Sequence, residues 1–256
     1  MKELVSVIMP TYNCGRFIKE SIDSVLAQSY QQWELLIVDD CSTDETEDIV
    51  RSYKDSRIHY WRNEKQLGAA LTRNKALRKA KGRYIAFLDA DDIWLPKKLE
   101  KQIAFMQDKG YAFTYHAYTE IDEDSKPIGV YVSGKQHVRR FDMMSCCWPG
   151  CLTVLYDAHI IGRIQIADIQ KNNDSAMWLQ AIRKADCYLL PENLACYRRR
   201  TGSITPDSVW KKIKWHYILF RQGLQLNPIA AAFWTGMNII GNSYKKIRYV
   251  KHHTTV

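Results

Sequence analysis

The sequence predicts an α/β fold in which a mostly parallel, Rossmann-like sheet is flanked by helices. Three observations support this fold class. In the first 110 residues, short apolar runs alternate four times with helical patterns. The connections between them are short, and polar residues follow the ends of the apolar runs. Such alternation is typical of parallel sheets covered by helices.

The elements of this first half can be assigned in chain order. Short apolar runs predict buried strands at 4–9, 35–38, 58–61 and 84–88. Apolar residues at helical spacing predict helices at 17–26, after 45, at 68–80 and at 97–109. Ser42 and Glu45 have the spacing of a capping box, which would open the second helix.

The second half is less regular. We expect strands at 111–118 and 128–132 around a turn, and a further strand at 151–156. A helix follows Asn172, and C-terminal amphipathic helices follow residue 203. Asn227-Pro228 and Gly241 are expected to interrupt these last helices.

Charge is distributed unevenly along the chain. The formal net charge is +9, and the residues from Tyr197 onward contain eleven Lys/Arg but a single acid, Asp207. A basic tail suits a polyanion, either nucleic acid or an anionic membrane surface. The longest apolar run, 228–240, is too short for a spanning helix, which needs ~20 residues.

Cysteine usage indicates the compartment. The seven cysteines are odd in number and form no CxxC pair, and no apolar leader opens the chain. We therefore expect reduced thiols in a cytoplasmic protein.

Carboxylates follow the predicted strand ends. Asp39 and Asp40 follow the second strand, and Asp89, Asp91 and Asp92 follow the fourth. Ligands of such sheets bind beyond the carboxyl ends of the strands. Crowded carboxylates raise each other's pKa unless a cation lies among them, and oxygen ligands suit Mg²⁺ or Mn²⁺. The alternative is that these residues cap the helices that follow.

Phosphate-binding glycine loops are missing from the sequence. Neither GxGxxG nor GxxxxGK[ST] occurs, which argues against dinucleotide oxidoreductases and P-loop NTPases. Phosphate would then be held by a metal and by arginine, and Arg73 is the candidate. The alternative for Arg73 is an ordinary solvated charge on a helix.

Four segments, 5–13, 37–44, 67–74 and 87–94, together resemble the family 2 glycosyltransferases. The resemblance implies a GT-A fold, a nucleotide-sugar donor, a divalent metal and inversion at the anomeric carbon. It divides the chain into a catalytic domain at 1–203 and a basic helical segment at 204–256. Within the domain, 1–110 would bind the nucleotide and 111–203 the acceptor.

The resemblance also assigns roles to residues. The implied nucleotide-sugar-binding residues are Pro10, Thr11, Tyr12, Asp39, Arg73, Asp89 and Ala90. Tyr12 would lie beside the uracil, Asp39 would accept a hydrogen bond from the base, and Asp89 would reach the ribose. Asp91 would be the main ligand of Mn²⁺ or Mg²⁺. Cys41 stands where the family often has Gly, so the turn there either avoids positive φ or is strained.

The catalytic base is implied by a fifth stretch. Residues 172–179 resemble the acidic pair that precedes an apolar helix in the family, with Asn173 replacing the first acid and Asp174 keeping the second. Asp174 is therefore the expected general base, which would take the proton of the attacking hydroxyl. The alternative is that Asp174 only caps its helix, and the two roles are compatible.

Two later segments resemble the family less closely. Residues 148–154 are similar to a stretch that faces the acceptor, and 196–204 to a loop of enzymes that build O-antigens and capsules. Arg198 in that loop is a candidate diphosphate contact, or else part of a general basic patch. The aromatic and basic tail is expected to bind an anionic membrane, on the cytoplasmic face of the inner membrane, or to pack as a lid.

The expected function is an inverting glycosyltransferase of surface polysaccharide synthesis. It would move glucose, galactose or an N-acetylhexosamine from a UDP-sugar to a hydroxyl of a glycan acceptor, expected to be lipid-diphosphate-linked. A nucleotidyltransferase acting on a sugar phosphate is the alternative, although it usually needs a glycine-rich loop. Nucleic acid is not an expected partner, because no nucleic-acid-binding motif accompanies the basic tail.

Overall fold

The computed structural model describes residues 3–200 and 208–252, which form a mixed sheet flanked by helices. Its strands are β1 (Val5–Thr11), β2 (Trp33–Asp39), β3 (Ile58–Arg62), β4 (Tyr84–Phe87), β5 (Ile93–Trp94), β6 (Phe113–Ile121), β7 (Pro127–Val132), β8 (His137–Val138), β9 (Leu155–Asp157), β10 (Cys187–Arg198) and β11 (Val250–His252). Its α-helices are α1 (Gly15–Leu26), α2 (Thr46–Ser52), α3 (Ala69–Lys79), α4 (Lys98–Lys109), α5 (Arg140–Ser145), α6 (Ala158–Ile161), α7 (Asn173–Ala181), α8 (Val209–Ile218) and α9 (Pro228–Tyr249). A 3₁₀ turn covers Cys151–Thr153, and a π-helical turn covers Leu219–Gly223.

The first half is the predicted parallel sheet. β1 lies between β2 and β4 and runs parallel to both, and β3 continues the sheet beside β2. β1 and β2 are buried along nearly their whole length, which explains why their sequences are continuously apolar. The register places Thr11 opposite Asp39, so the polar residues that follow both strands meet at one edge.

The second half extends this sheet with strands of both directions. β9 runs antiparallel between β4 and β6, and β7 continues the sheet beyond β6. The long strand β10, which the sequence patterns did not predict, runs parallel to β6. It also pairs with β5, where Cys196 lies opposite Ile93. This pairing returns the chain after residue 196 to the edge that carries Asp91.

The C-terminal segment belongs to the same sheet and core. β11 adds an antiparallel strand to β7. Leu219, Phe220 and Ala231 are at most 1% exposed and join the hydrophobic core. No helix in the described ranges is both long enough and apolar enough to cross a bilayer.

Three local predictions were wrong. Ser42 and Glu45 form no capping box, because the Ser42 hydroxyl donates to Asp39 and α2 begins only at Thr46. The strand expected from residue 151 starts at Leu155, after the 3₁₀ turn. Gly241 does not interrupt α9, which runs unbroken to Tyr249.

Candidate active site

The predicted donor residues meet at the carboxyl edge of β1, β2 and β4. Pro10 and Thr11 end β1, and Pro10 is half-buried while Thr11 is buried. The Thr11 hydroxyl is buried without a hydrogen-bond partner among the described residues, whereas the Tyr12 ring is 44% exposed. This edge therefore presents an accessible ring beside an unsatisfied hydroxyl.

Asp39 ends β2 and is fully buried. One carboxylate oxygen accepts the backbone N–H of Ser42 at 2.9 Å and its hydroxyl at 2.6 Å. The other accepts the hydroxyl of Tyr60 at 2.7 Å, and this contact with burial raises the pKa of Tyr60. A carboxylate offers about four lone-pair positions, so Asp39 keeps acceptor capacity for a further donor.

Asp40 positions the start of α3. Its carboxylate accepts the backbone N–H groups of Leu67 at 2.8 Å and Gly68 at 2.7 Å. Asp40 thus forms structural hydrogen bonds, but with the segment before α3 and not with α2, the helix that follows it directly. The next residue, Cys41, has φ +69°, so its turn does need the left-handed conformation that the family often meets with Gly.

Arg73 on α3 joins the two halves of the site. Its side chain is 8% exposed; one guanidinium nitrogen forms an ion pair with Asp89, and another donates to the Asn173 amide oxygen at 2.8 Å. Asp89 retains 31% side-chain exposure. Because Asn173 is the first residue of α7, this bridge connects the Asp89 turn with the helix that carries Asp174.

Asp91 faces a cation that sequence reasoning missed. Its carboxylate pairs with Arg200 at 2.8 Å, and both side chains remain partly exposed, at 24% and 31%. Burial and the neighbouring charge of Asp89 raise the pKa of Asp91, and Arg200 opposes that rise. The sequence shows three consecutive arginines but not which one reaches Asp91. The β5–β10 pairing selects Arg200.

Arg198 and Asp92 are buried and form structural contacts. The Arg198 side chain has no exposed area and contacts Glu20 and Ser125, as well as the Asp91 carbonyl. Its backbone N–H donates to Asp92 at 2.9 Å. Ala90, between the partly exposed Asp89 and Asp91, is 2% exposed. The Arg198 guanidinium is therefore fully buried, whereas the Arg200 side chain, paired with Asp91, is 31% exposed.

Asp174 lies in the first turn of α7. One oxygen accepts the backbone N–H of Ser175 at 2.7 Å, so the residue also contributes to the start of its helix. Burial raises the pKa of Asp174, and the nearby Arg73 guanidinium works against this rise. Arg73 thus influences both Asp89 and Asp174, which indicates that the two carboxylates share one site.

The residues of this site fit a divalent cation bound together with phosphate. Within 3–200 and 208–252, no three His, Cys, Asp or Glu side chains group to enclose a metal ion. Magnesium is usually held by one or two carboxylates plus substrate phosphates, so Asp91 with Asp89 nearby suffices. The pairing of Asp91 with Arg200 shows that this position already attracts a cation.

The remaining part of the late loop falls outside the described residues. Residues 201–207, which include the Gly-Ser step at Gly202 and Ser203, are therefore not placed relative to Asp91. Among described residues the predicted donor residues and Asp174 do converge, whereas Arg198 does not reach the open side of the site.

Comparison with known proteins identifies the family. The profile of Glycosyl transferase family 2 matches residues 6–157. The putative teichuronic acid biosynthesis glycosyltransferase TuaG of Bacillus subtilis is 40% identical over 96% of this chain and 98% of its own. The UDP-Glc:alpha-D-GlcNAc-diphosphoundecaprenol beta-1,3-glucosyltransferase WfgD of Escherichia coli is 37% identical over 95% of this chain and 94% of its own.

Solved structures share the fold. The S. aureus TarS fragment 1–349 in complex with UDP-GlcNAc superposes with a TM-score of 0.73 at 19% identity, covering 96% of this chain and 74% of that one. The mannosyltransferase PcManGT from Pyrobaculum calidifontis, in complex with GDP-Man and Mn2+, gives 0.63 at 16% identity, covering 96% and 75%. The carboxylates at the strand ends, the GT-A fold and the profile match agree: this chain belongs to glycosyl transferase family 2.

Proposed function

We propose that this glycosyltransferase moves a hexose or N-acetylhexosamine from a UDP-sugar to a hydroxyl of a lipid-diphosphate-linked glycan, with inversion at the anomeric carbon. The observation that carries the proposal is the Arg73 bridge, which joins the Asp89 turn to the helix of Asp174. The proposed leaving-group site and the candidate base would thereby lie side by side. The similarity to WfgD, a UDP-Glc-dependent glucosyltransferase acting on a diphosphoundecaprenol-linked sugar, supports the donor and acceptor classes.

The nucleoside would lie across the ends of β1 and β2. The exposed Tyr12 ring offers a stacking surface for uracil, and Thr11 and Asp39 offer polar atoms beneath it. Asp89 keeps exposed carboxylate area for the ribose hydroxyls while paired with Arg73. Pro10 and Ala90 would shape the floor through their backbone.

Asp91, assisted by Asp89, would hold Mg²⁺ or Mn²⁺ against the donor diphosphate. A bound cation there would neutralise negative charge on the leaving UDP. Arg200 would leave Asp91 as the metal–diphosphate arrives and could then pair with a phosphate oxygen, so we transfer to Arg200 the diphosphate role first considered for Arg198. Arginine suits this role because its guanidinium matches phosphate geometry.

Asp174 would act as general base. The acceptor hydroxyl oxygen forms a bond to C1 of the donor sugar on the face opposite UDP, and the bond from C1 to the diphosphate oxygen breaks. The hydroxyl proton passes to the Asp174 carboxylate, and UDP leaves with the bonding electron pair. A single displacement of this kind inverts the anomeric configuration.

The C-terminal segment would contact an anionic membrane on the cytoplasmic face, where a lipid-linked acceptor is available. Residues 208–252 contain eight Lys/Arg and no Asp or Glu. This segment could pack on the core and also contact a membrane, because the two contacts would use different sides of a helix.

The full-length protein with Mn²⁺, a panel of UDP-sugars and a synthetic lipid-diphosphate acceptor provides the test. We expect UDP release with one donor and a product heavier by one sugar in mass spectrometry. Formation of pyrophosphate instead of UDP would favour the nucleotidyltransferase alternative. No acceptor-dependent UDP release with any donor would contradict the proposal.

A further inference from the structure

Helix α9 has its apolar side facing outward. Five large apolar residues on it are more than half exposed: Ile229 (85%), Phe233 (58%), Ile240 (66%), Tyr244 (53%) and Ile247 (86%). At 3.6 residues per turn, these positions fall within about 60° of one another around the helix axis. They form a continuous stripe ~27 Å long, which we call the α9 stripe.

The opposite side of α9 is small or polar and faces the protein. Ala231, Thr235 and Asn238 are at most 5% exposed. The Asn238 amide donates to the Met144 carbonyl at 3.0 Å, and Lys245 donates to the carbonyls of Cys147 and Trp148. A helix that packs only on its own protein normally buries its apolar face. The reversed arrangement indicates that something apolar covers the α9 stripe.

A basic cleft of about 860 Å³ lies beside α9, and we call it the basic cleft. Lys135, Arg139, Arg248 and Lys251 line it, together with Tyr131 and Tyr249. Lys135 pairs with Asp142. The other three cations are exposed and have no carboxylate partner among the described residues. None of its lining residues belongs to the donor site, so its positive charge is available for a different anion.

The α9 stripe and the basic cleft form one surface. Phe141 lines the cleft, and its ring contacts that of Trp234 on α9 at 5.5 Å between centroids. The Trp234 ring in turn contacts that of Phe233 in the stripe at 5.3 Å. Arg248 is the residue after Ile247, at the C-terminal end of the stripe.

We propose that α9 lies flat in the interface of an anionic phospholipid bilayer, with the α9 stripe among the acyl chains and the basic cleft binding lipid phosphate groups. An interfacial helix combines such an apolar face with flanking Lys and Arg. A second copy of this chain fits less well, because residues 208–252 carry eight Lys/Arg and no acid, and two copies would bring like charges together. The inference rests on the proposed function, since it names the surface that would bring the enzyme to the membrane of its lipid-linked acceptor.

Vesicle flotation of the full-length protein tests this surface. Wild type should float with vesicles of phosphatidylcholine plus phosphatidylglycerol, and much less with phosphatidylcholine alone. Each Lys or Arg near an anionic surface contributes about fivefold, so Arg139→Gln/Arg248→Gln/Lys251→Gln should weaken binding on the order of 100-fold. Phe233→Ser/Ile240→Ser/Ile247→Ser should weaken it by about as much or more.

Matched controls use the same chemistry elsewhere. Lys65→Gln/Lys81→Gln/Lys184→Gln removes equal charge from exposed positions, and Ile128→Ser/Ile160→Ser removes exposed apolar side chains from other elements. Both should float like wild type. Equal loss in these controls, or unchanged flotation of both the cleft and the stripe variants, would overturn the proposal.

Three further measurements separate the remaining explanations. If soluble glycerol phosphate displaced the protein from vesicles and salt of equal ionic strength did not, the cleft would be confirmed as a phosphate site. Suppose that wild type dimerises in sedimentation without binding vesicles, and that the stripe variant is monomeric. This result would assign the stripe to a second copy and refute the inference. UDP binding by calorimetry should be the same in every variant; absent UDP binding in wild type would instead refute the proposed function.

Discussion

At Asp91, a carboxylate expected to bind a metal is paired with Arg200. Two cations cannot share this carboxylate without repulsion, so the arginine and a divalent ion compete for it. Partly exposed ion pairs contribute about 0.2–1 kcal/mol, so the competition is weak enough for a metal bound with diphosphate to prevail.

Arg200→Gln should therefore bind Mn²⁺ more tightly than wild type, by up to about fivefold, when no nucleotide is present. Electron paramagnetic resonance of free Mn²⁺ measures this affinity without catalysis. Arg199→Gln is the matched control, because Arg199 pairs with Glu120 and not with Asp91. Unchanged Mn²⁺ affinity in Arg200→Gln, or an equal change in Arg199→Gln, would contradict the competition.

Asp174 combines burial with an expected role as base. Burial raises its pKa, so its proton binds more tightly than that of an ordinary Asp, whose pKa is about 3.9. A base must be deprotonated to act. The rate of transfer should consequently fall with decreasing pH at a value above the usual range of Asp.

Asp174→Asn should lower kcat by about 10²–10⁴-fold and abolish that acidic limb, while the Kd for UDP with metal stays within about twofold of wild type. Stability should not fall at neutral pH, because the raised pKa means that ionised Asp174 is a cost to the folded state there. Steady-state kinetics across pH and calorimetry provide the measurements. The exposed Asp168→Asn is the control, and retained turnover in Asp174→Asn would disprove the assignment.

The helices α5 and α9 approach each other closely at Gly241. A Cβ built there would lie 2.0 Å from the Ser145 carbonyl oxygen, whereas a Cβ at Gly236 on the same helix meets nothing within 4 Å. Glycine at 241 therefore serves close packing. Read along the sequence alone, the same residue suggested a helix break, because composition does not reveal which neighbour it faces.

Gly241→Ala should lower the free energy of unfolding by about 1–3 kcal/mol, since a backbone atom must move to accommodate the methyl group. Gly236→Ala should raise it by up to about 1 kcal/mol, through better helix propensity in open space. Urea denaturation compares the two. Equal effects of both substitutions would mean that the α5–α9 contact is looser than the structure indicates.

Across the whole molecule, the C-terminal segment is both part of the core and the source of the positive charge. It contributes Leu219, Phe220 and Ala231 to the main hydrophobic cluster and β11 to the sheet edge. The sequence predicts a basic segment at 204–256 that binds a membrane or packs as a lid. Its described part packs on the core, so we predict that the domain needs it.

A chain that ends at Ser203 should thus lose stability as well as membrane contact, with a thermal midpoint several degrees lower, or aggregation, as buried apolar surface becomes exposed. Differential scanning fluorimetry measures this, with a chain ending at His252 as the control that retains every described contact. An unchanged midpoint after truncation at 203 would show that the segment is an independent appendage.

Local patterns in the sequence determined the parallel half of the sheet, its carboxylate edge and the family, because apolar periodicity and strand-end motifs are encoded in neighbouring residues. Only the tertiary structure decided that β10 pairs with β5 and that Arg200, not Arg198, contacts the Asp91 carboxylate. It also decided that the Ser42 hydroxyl donates to Asp39 and that the apolar side of α9 faces outward. The physical reason is common to these cases: each depends on contacts between residues far apart in the chain, and short-range spacing carries no information about such partners.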